Sequence, residues 1–376
     1  MPDSFYLALR YLRHHRLTTT VLVASITLII YLPSGLQVMV ANAGKHFRSR
    51  ADSTPLVVGP RGSSLELVLG SLYFDKPYED VLRLEQLRRI EEQELGQAIP
   101  LHARFEARDC QIVGTTKDYL RLRNLRTALG KIWSMHGECV IGARAADRLN
   151  VQVGDKIPVS TSTVFTLDNP PLRLHIVGVL ATTETPDDEA IFVDLDTTWI
   201  IEGLGHGHAS GTQHGSTEAK PYTDITKENV ASFHFHGNRD KFPITAIIVT
   251  PASDKARTIL MGQYFSPDET AQIVRPRDAM DSLLEKVVMI RSYMIAIIAV
   301  ISLVTLLSMT LVIVLSIRLR RAEIVTMSKM GCSRFTMASI LASQIAMIVF
   351  ASSLIATTLA LLTDAYGSDL IRLFIL

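Results

Sequence analysis

Hydrophobic positions are segregated along this chain. Residues 17–42 hold no charged side chain, and the stretch Val21-Leu22-Val23-Ala24-Ser25-Ile26-Thr27-Leu28-Ile29-Ile30 is nearly all apolar. A helix of that length covers about 37 Å, enough to cross a hydrocarbon layer of about 30 Å with some tilt. Two further uncharged runs occupy residues 292–317 and 335–363. The last carries Gln344 and many Ser and Thr residues, a composition that suits helix packing within lipid. Three transmembrane helices are therefore predicted. A basic flank and the triplet Ala41-Asn42-Ala43 give the first of them the outline of a signal peptide. Its apolar run is far longer than the roughly 7–15 residues of a cleaved signal, so it reads as a permanent anchor.

The rest of the chain follows other periods. In residues 1–16, Phe5, Leu9 and Leu12 recur at helical spacing opposite Arg10, Arg13 and Arg16. This predicts an amphipathic helix in the cytoplasmic interface, although the same charges would serve a plain basic flank. Residues 43–291 have no comparable apolar run and read as a folded domain outside the membrane. Strand patterns fall at 54–59, 110–114, 151–157, 174–180 and 244–250, and helical ones at 78–94 and 143–149. The mixture predicts an α+β domain, and its length suggests two subdomains. Beyond 363, residues 364–369 read as an external turn, and 370–376 are too few to cross again. The predicted fold class is an α-helical membrane bundle of three readable spans plus a large α+β extracytoplasmic domain.

Charge orients this arrangement. The 38 basic and 37 acidic residues leave a net charge of +1, which argues against a nucleic-acid partner. Arg10, Arg13 and Arg16 precede the first span, and Arg318, Arg320, Arg321, Lys329 and Arg334 lie between the second and third. Short loops rich in Lys and Arg stay in the cytoplasm. One crossing then puts the domain of residues 43–291 on the outer side.

The cytoplasmic loop 318–334 carries a resemblance. Arg320-Arg321-Ala322-Glu323-Ile324, a stretch of helix formers, then Met330-Gly331-Cys332-Ser333-Arg334 are similar to the signature of FtsX-like (MacB-type) ABC permeases. The blocks Val140-Ile141-Gly142 to Leu149, Val153-Gly154-Asp155, Ile176-Val177-Gly178-Val179 and Ala190-Ile191-Phe192-Val193 extend it into the outer domain. The resemblance implies that 318–334 is a coupling helix that docks on a separate ATPase. Arg320, Arg321, Glu323, Ile324, Lys329, Gly331 and Arg334 would be its contact residues. It further implies a homodimer in a bacterial inner membrane with its large domain in the periplasm. ATP and Mg would be held by the partner ATPase, with no cofactor bound directly, and a periplasmic substrate-binding or adaptor protein is a further partner. Family members usually have four spans, so the three readable here are a departure.

Histidine and cysteine supply the remaining chemistry. Five of 11 histidines fall in the loop 204–243: His206, His208, His214, His234 and His236. Two His-x-His pairs, 206/208 and 234/236, point both rings one way on an extended backbone. Imidazole suits zinc, copper and nickel, so this loop is a candidate metal site, weighed against a solvated polar loop. Within the resembled family, a subgroup with such loops implies a link to zinc acquisition. Cys110 and Cys139 form a disulfide if their segment is oxidised, or else are two buried thiols. The acidic run Asp187-Asp188-Glu189 reads as a solvated turn.

No phosphate-binding Gly-x-x-x-x-Gly-Lys-Ser/Thr loop and no Gly-x-Ser-x-Gly, His-Glu-x-x-His or Cys-x-x-Cys motif is present. The leading reading is a non-enzymatic permease subunit of mechanotransmitting type. It would use ATP hydrolysed by its partner to move its outer domain and release or export an envelope substrate. Two alternatives stay open: a membrane-anchored metal-binding or sensor protein without an ATPase, and a device for lipoprotein or lipid release or for activating an envelope enzyme.

Overall fold

The computed structural model describes residues 2–75, 80–160, 171–207, 222–266, 268–319 and 334–375. Its helices in chain order are α1 (Pro2–His14), α2 (Arg16–Asp52), α3 (Ser64–Val68), α4 (Glu85–Glu91), α5 (Lys117–Leu122), α6 (Ala143–Leu149), α7 (Leu195–Ile201), α8 (Asp254–Gln263), α9 (Pro276–Leu319) and α10 (Arg334–Ile375). The strands are β1 (Leu56–Pro60), β2 (Leu82–Arg83), β3 (Gly96–Ala107), β4 (Cys110–Thr115), β5 (Thr127–Gly130), β6 (Glu138–Ile141), β7 (Lys156–Pro158), β8 (Leu172–Leu180), β9 (Ile191–Asp194), β10 (Gly205–Gly207), β11 (Thr223–Asp224), β12 (Phe233–Phe235), β13 (Pro243–Ile244), β14 (Ala246–Pro251) and β15 (Ala271–Val274). The chain divides into two units, Met1–Phe47 with Leu284–Leu376, and Arg48–Leu283.

The first unit is helical. Thr19–Met39 in α2 and Ala342–Ala365 in α10 are each long and apolar enough to cross a membrane. The predicted span 292–317 falls inside α9, of which Ser292–Val304 is a shorter apolar stretch among the described residues. Hydroxyl groups join α2 to α10. The Ser352 hydroxyl donates to the Val23 carbonyl at 3.2 Å, and Tyr31 and Thr363 share a 2.8 Å hydrogen bond. Such side chains hold helices together where apolar burial offers no preference for protein over lipid. The turn expected at 364–369 is helix instead, since α10 runs to Ile375. That segment holds no proline, and its one glycine, Gly367, weakens a helix by only about 1 kcal/mol.

The second unit is built on a mixed sheet ordered β11-β8-β6-β9-β4-β3-β14-β1-β15, with β5 and β7 also paired to β8. β1 and β4 are buried at every position, so neither alternates exposed polar with buried apolar residues as a half-exposed strand does. The two-residue hairpin between β3 and β4 uses Arg108 and Asp109, both left-handed with φ of 49° and 61°. Buried apolar residues cluster against the sheet. One cluster includes Ile112, Cys139, Ile141, Leu174, Ile176 and Ile191; another includes Leu56, Val58, Ile90, Trp199, Ile247 and Leu260. The helix expected over 78–94 shortens to α4, because Leu82 and Arg83 pair with Ile244 and Pro243 as β2.

Candidate functional site

Two clusters of polar side chains in the second unit are built with care. The first begins where α7 ends. Gly203, left-handed with φ of 84°, donates its N–H to the Ile200 carbonyl, and Leu204 donates to Trp199. These two bonds close the helix in a Schellman motif and turn the chain into β10. β10 and β12 then form an antiparallel ribbon with Gly205 opposite Phe235, His206 opposite His234, and Gly207 opposite Phe233.

Strand periodicity sorts that ribbon into two faces. Phe233 and Phe235 pack against the hydrophobic cores. Phe235 also meets Trp199 edge-on at 6.3 Å, and the Arg239 guanidinium lies 5.3 Å above its ring. His206, His234 and His236 share the other face, with ring centroids 4.6 to 4.9 Å apart. The glycines flanking His206 are required by the rings opposite them. A Cβ on Gly205 would sit 2.7 Å from the Phe235 ring, and one on Gly207 2.7 Å from the Phe233 ring. One nitrogen from each of the three imidazoles lies within 4.8 Å of the other two.

The second cluster surrounds Arg50, in the last turn of α2. Its Nη1 donates to Asp187 Oδ2 at 2.5 Å and its Nη2 to Asp187 Oδ1 at 2.7 Å, a two-pronged fork. Nη2 also donates to the Tyr119 hydroxyl at 2.6 Å, and Nε to the Leu72 carbonyl at 3.1 Å. Tyr119 in turn donates to Asp187 Oδ1 at 2.7 Å. Arg50 is 5% exposed and Asp187 1%. Arg123 flanks the cluster, donating to Ser53 and Thr54 while its guanidinium lies 5.8 Å from the Tyr119 ring centre. Burial opposes every charge here. It raises the Tyr119 pKa and lowers that of Arg123. For Asp187 the Arg50 charge and the Arg50 and Tyr119 hydrogen bonds outweigh burial and hold the carboxyl below its usual range.

The acidic run is therefore no solvated turn. Asp187 is bound by Arg50, and Asp188, 0% exposed, accepts the backbone N–H groups of Thr183 and Glu184 and the Thr183 hydroxyl. Gly142 makes room for the segment: a Cβ there would sit 2.3 Å from the Asp188 carbonyl oxygen. Arg50, Tyr119 and Asp187 escape a reading of the sequence because 137 residues separate the ion pair. The available signal was Thr185-Pro186, a helix-start pair that opens the short 3₁₀ turn holding Asp187.

Of the histidines singled out in the sequence, His206, His234 and His236 come together. His208 and His214 lie outside the described residues, as do Arg320, Arg321, Glu323, Ile324, Lys329 and Gly331; Arg334 opens α10. A second metal-competent group, His136, Asp194 and Asp196, is engaged internally: His136 bonds Asp194 at 2.9 Å and Asp196 pairs with Arg239. Cys110 and Cys139 are buried free thiols. Their strands β4 and β6 are separated by β9, and Cys139 is level with Gly114, four residues along β4 from Cys110, so the two stand more than two strand spacings of about 9–10 Å apart, beyond the reach of a disulfide. Burial raises the pKa of both thiols.

A family model, the MacB-like periplasmic core domain, matches residues 17–231. Among solved structures, the periplasmic region of MacB from Actinobacillus actinomycetemcomitans is 10% identical, with 64% of this chain and 97% of that one covered and a TM-score of 0.38. The extracellular domain of the noncanonic ABC-type transporter YknZ from Gram-positive bacteria is 10% identical, with 58% and 98% covered and a TM-score of 0.33. No curated protein matches the chain.

Proposed function

The chain belongs to the MacB-like periplasmic core domain family, and from that premise we propose that it is the membrane subunit of a mechanotransmitting ABC complex. In this reading a separate cytoplasmic ATPase, which holds ATP and Mg, docks on residues 318–334 of a homodimer. Glu323 and the arginines around it receive the ATPase. The cycle of nucleotide binding and hydrolysis then moves the periplasmic domain, which drives release or export of an envelope substrate.

The observation that carries this reading is the order of parts along the chain. The family match over residues 17–231 takes in the apolar segment Thr19–Met39, and the folded unit Arg48–Leu283 stands in sequence between that segment and Ala342–Ala365. The Arg50 cluster adds a physical reason for coupling. It ties the last turn of α2 to Tyr119 of α5 and Asp187 of the β8–β9 connection through a saturated, desolvated ion pair. Motion passed along the chain into α2 would reach the domain through bonds that are costly to break.

The test is purification of the full chain from its native membrane together with the ATPase, followed by ATP hydrolysis in detergent. Glu323→Lys should abolish co-purification. Arg50→Met combined with Asp187→Leu, which strands no charge, should leave the ATPase bound while removing the biological output. If the Glu323→Lys chain retains its ATPase at wild-type ratio, the docking assignment fails.

A further inference from the structure

The three histidines of the β10–β12 ribbon are held together by the fold. His206 and His234 are directly opposed cross-strand partners, which brings Cβ atoms to about 4.5–5.5 Å. His236 follows His234 by two residues and falls on the same face, and its N–H continues the pairing by donating to the Leu204 carbonyl at 3.1 Å. The opposite face is committed to Phe233 and Phe235, so the ribbon cannot turn its imidazoles inward without removing two aromatic rings from the cores. His206 and His236 are exposed and His234 is half-buried, which leaves the group open to ions from solution.

We infer that His206, His234 and His236 form a three-imidazole site for a divalent first-row transition ion of the zinc class. The His234 Nδ1 lies 3.2 Å from the Ser232 carbonyl oxygen. A carbonyl accepts only, so that contact places the proton on Nδ1 and the lone pair on Nε2, the tautomer that binds a metal through Nε2. Zinc–nitrogen bonds of about 2.0–2.1 Å in a tetrahedron set ligand nitrogens about 3.3 Å apart. The present nitrogens lie within 4.8 Å of one another, so a small inward swing of exposed rings completes the geometry. Three neutral nitrogen donors without thiolate favour zinc, copper or nickel over calcium or magnesium.

Three protein ligands leave a fourth position open for water or for a donor from another molecule. An exposed site of that kind loads and unloads readily, as capture or sensing requires. The ion would also cross-link β10 to β12 and so pin both ends of the segment that joins them. His136, Asp194 and Asp196 are the competing group in this domain, but Arg239 already occupies Asp196. The inference stands whether or not an ATPase partner exists, and its failure would leave the coupling reading untouched.

The test is zinc titration of the tag-free full chain in detergent against a chromophoric chelator, with cobalt substitution to report coordination geometry. One ion per chain at micromolar zinc is expected, with a tetrahedral cobalt spectrum. The triple variant His206→Ala, His234→Ala, His236→Ala should lose this ion, and each single variant should weaken it about tenfold or more. His206→Gln, at an exposed position, serves as the variant least able to disturb folding, and melting of all variants in chelator should match the unaltered chain. A His208→Ala, His214→Ala double variant and His136→Ala should keep the ion. No binding at micromolar zinc, or undiminished binding by the triple variant, overturns the site.

Discussion

The histidine ribbon and the Arg50 cluster belong to one domain and handle polar side chains in opposite ways. Around Arg50 every guanidinium nitrogen has an acceptor, both carboxylate oxygens are filled, and water is excluded. On the ribbon, three imidazoles cluster at the surface with nitrogens close enough to share an ion. The first arrangement is costly to break because removing one partner strands a charge in a low dielectric. The second is largely exposed and contributes little to stability. Closeness of chemically potent groups is common to both; burial separates the structural cluster from the accessible one.

The largest expected effect tests the buried half of that contrast. Arg50→Ala or Asp187→Ala should destabilise the domain by about 3–5 kcal/mol, read by denaturant unfolding of the full chain through Trp133 and Trp199 fluorescence. Replacing both together, as Arg50→Met with Asp187→Leu, should recover most of that loss, and a double variant as poor as the singles would mean the pair itself is favourable. Next comes the frame of the ribbon. Gly205→Ala puts a methyl group against the Phe235 ring and should cost about 1–3 kcal/mol by the same measurement.

Acid gives a further distinction. The Asp187 pKa is lowered in the folded state, so its contribution is present above the unfolded value of about 3.9 and is lost as pH falls through the folded value. Melting temperature should therefore drop more steeply below about pH 4 in the unaltered chain than in Asp187→Asn. The smallest effect is expected at the ribbon itself: the triple histidine variant should change metal-free stability by less than about 0.5 kcal/mol. Saturating zinc should stabilise only the chain that keeps its histidines, by about 2.7 kcal/mol at a hundredfold excess over Kd.

Much of the fold was legible where the local pattern and the tertiary environment agree. Strands β1, β4, β8 and β14 are centred on Val, Ile and Leu, and α6 ends at Asn150 in the left-handed conformation after a run of helix formers. β3 was not legible, although it is the longest strand and central to the sheet. It contains Pro100, His102, Arg104 and Glu106, and proline argues against an interior strand. Pro100 stands just past the last β3–β4 pair, Leu101 with Thr115, and its carbonyl accepts the Thr115 hydroxyl at 2.8 Å. Three of the five loop histidines came together because a period-two pattern survives in any ribbon. The burial of Asp187 was hidden because its cause, Arg50, is remote in sequence and carries no local mark.

The separation between Arg50 and Asp187 also sets a timetable for synthesis. A ribosome adds about 5–20 residues per second, so the 137 positions between them take roughly 7 to 27 s to appear. Through that interval the end of α2 carries a cation whose buried partner does not yet exist. The newborn chain can seat that helix end only after the β8–β9 connection has been made. Closure of the domain onto its first helix is thus a late event in its assembly, and a chain halted before Asp187 would hold Arg50 in water.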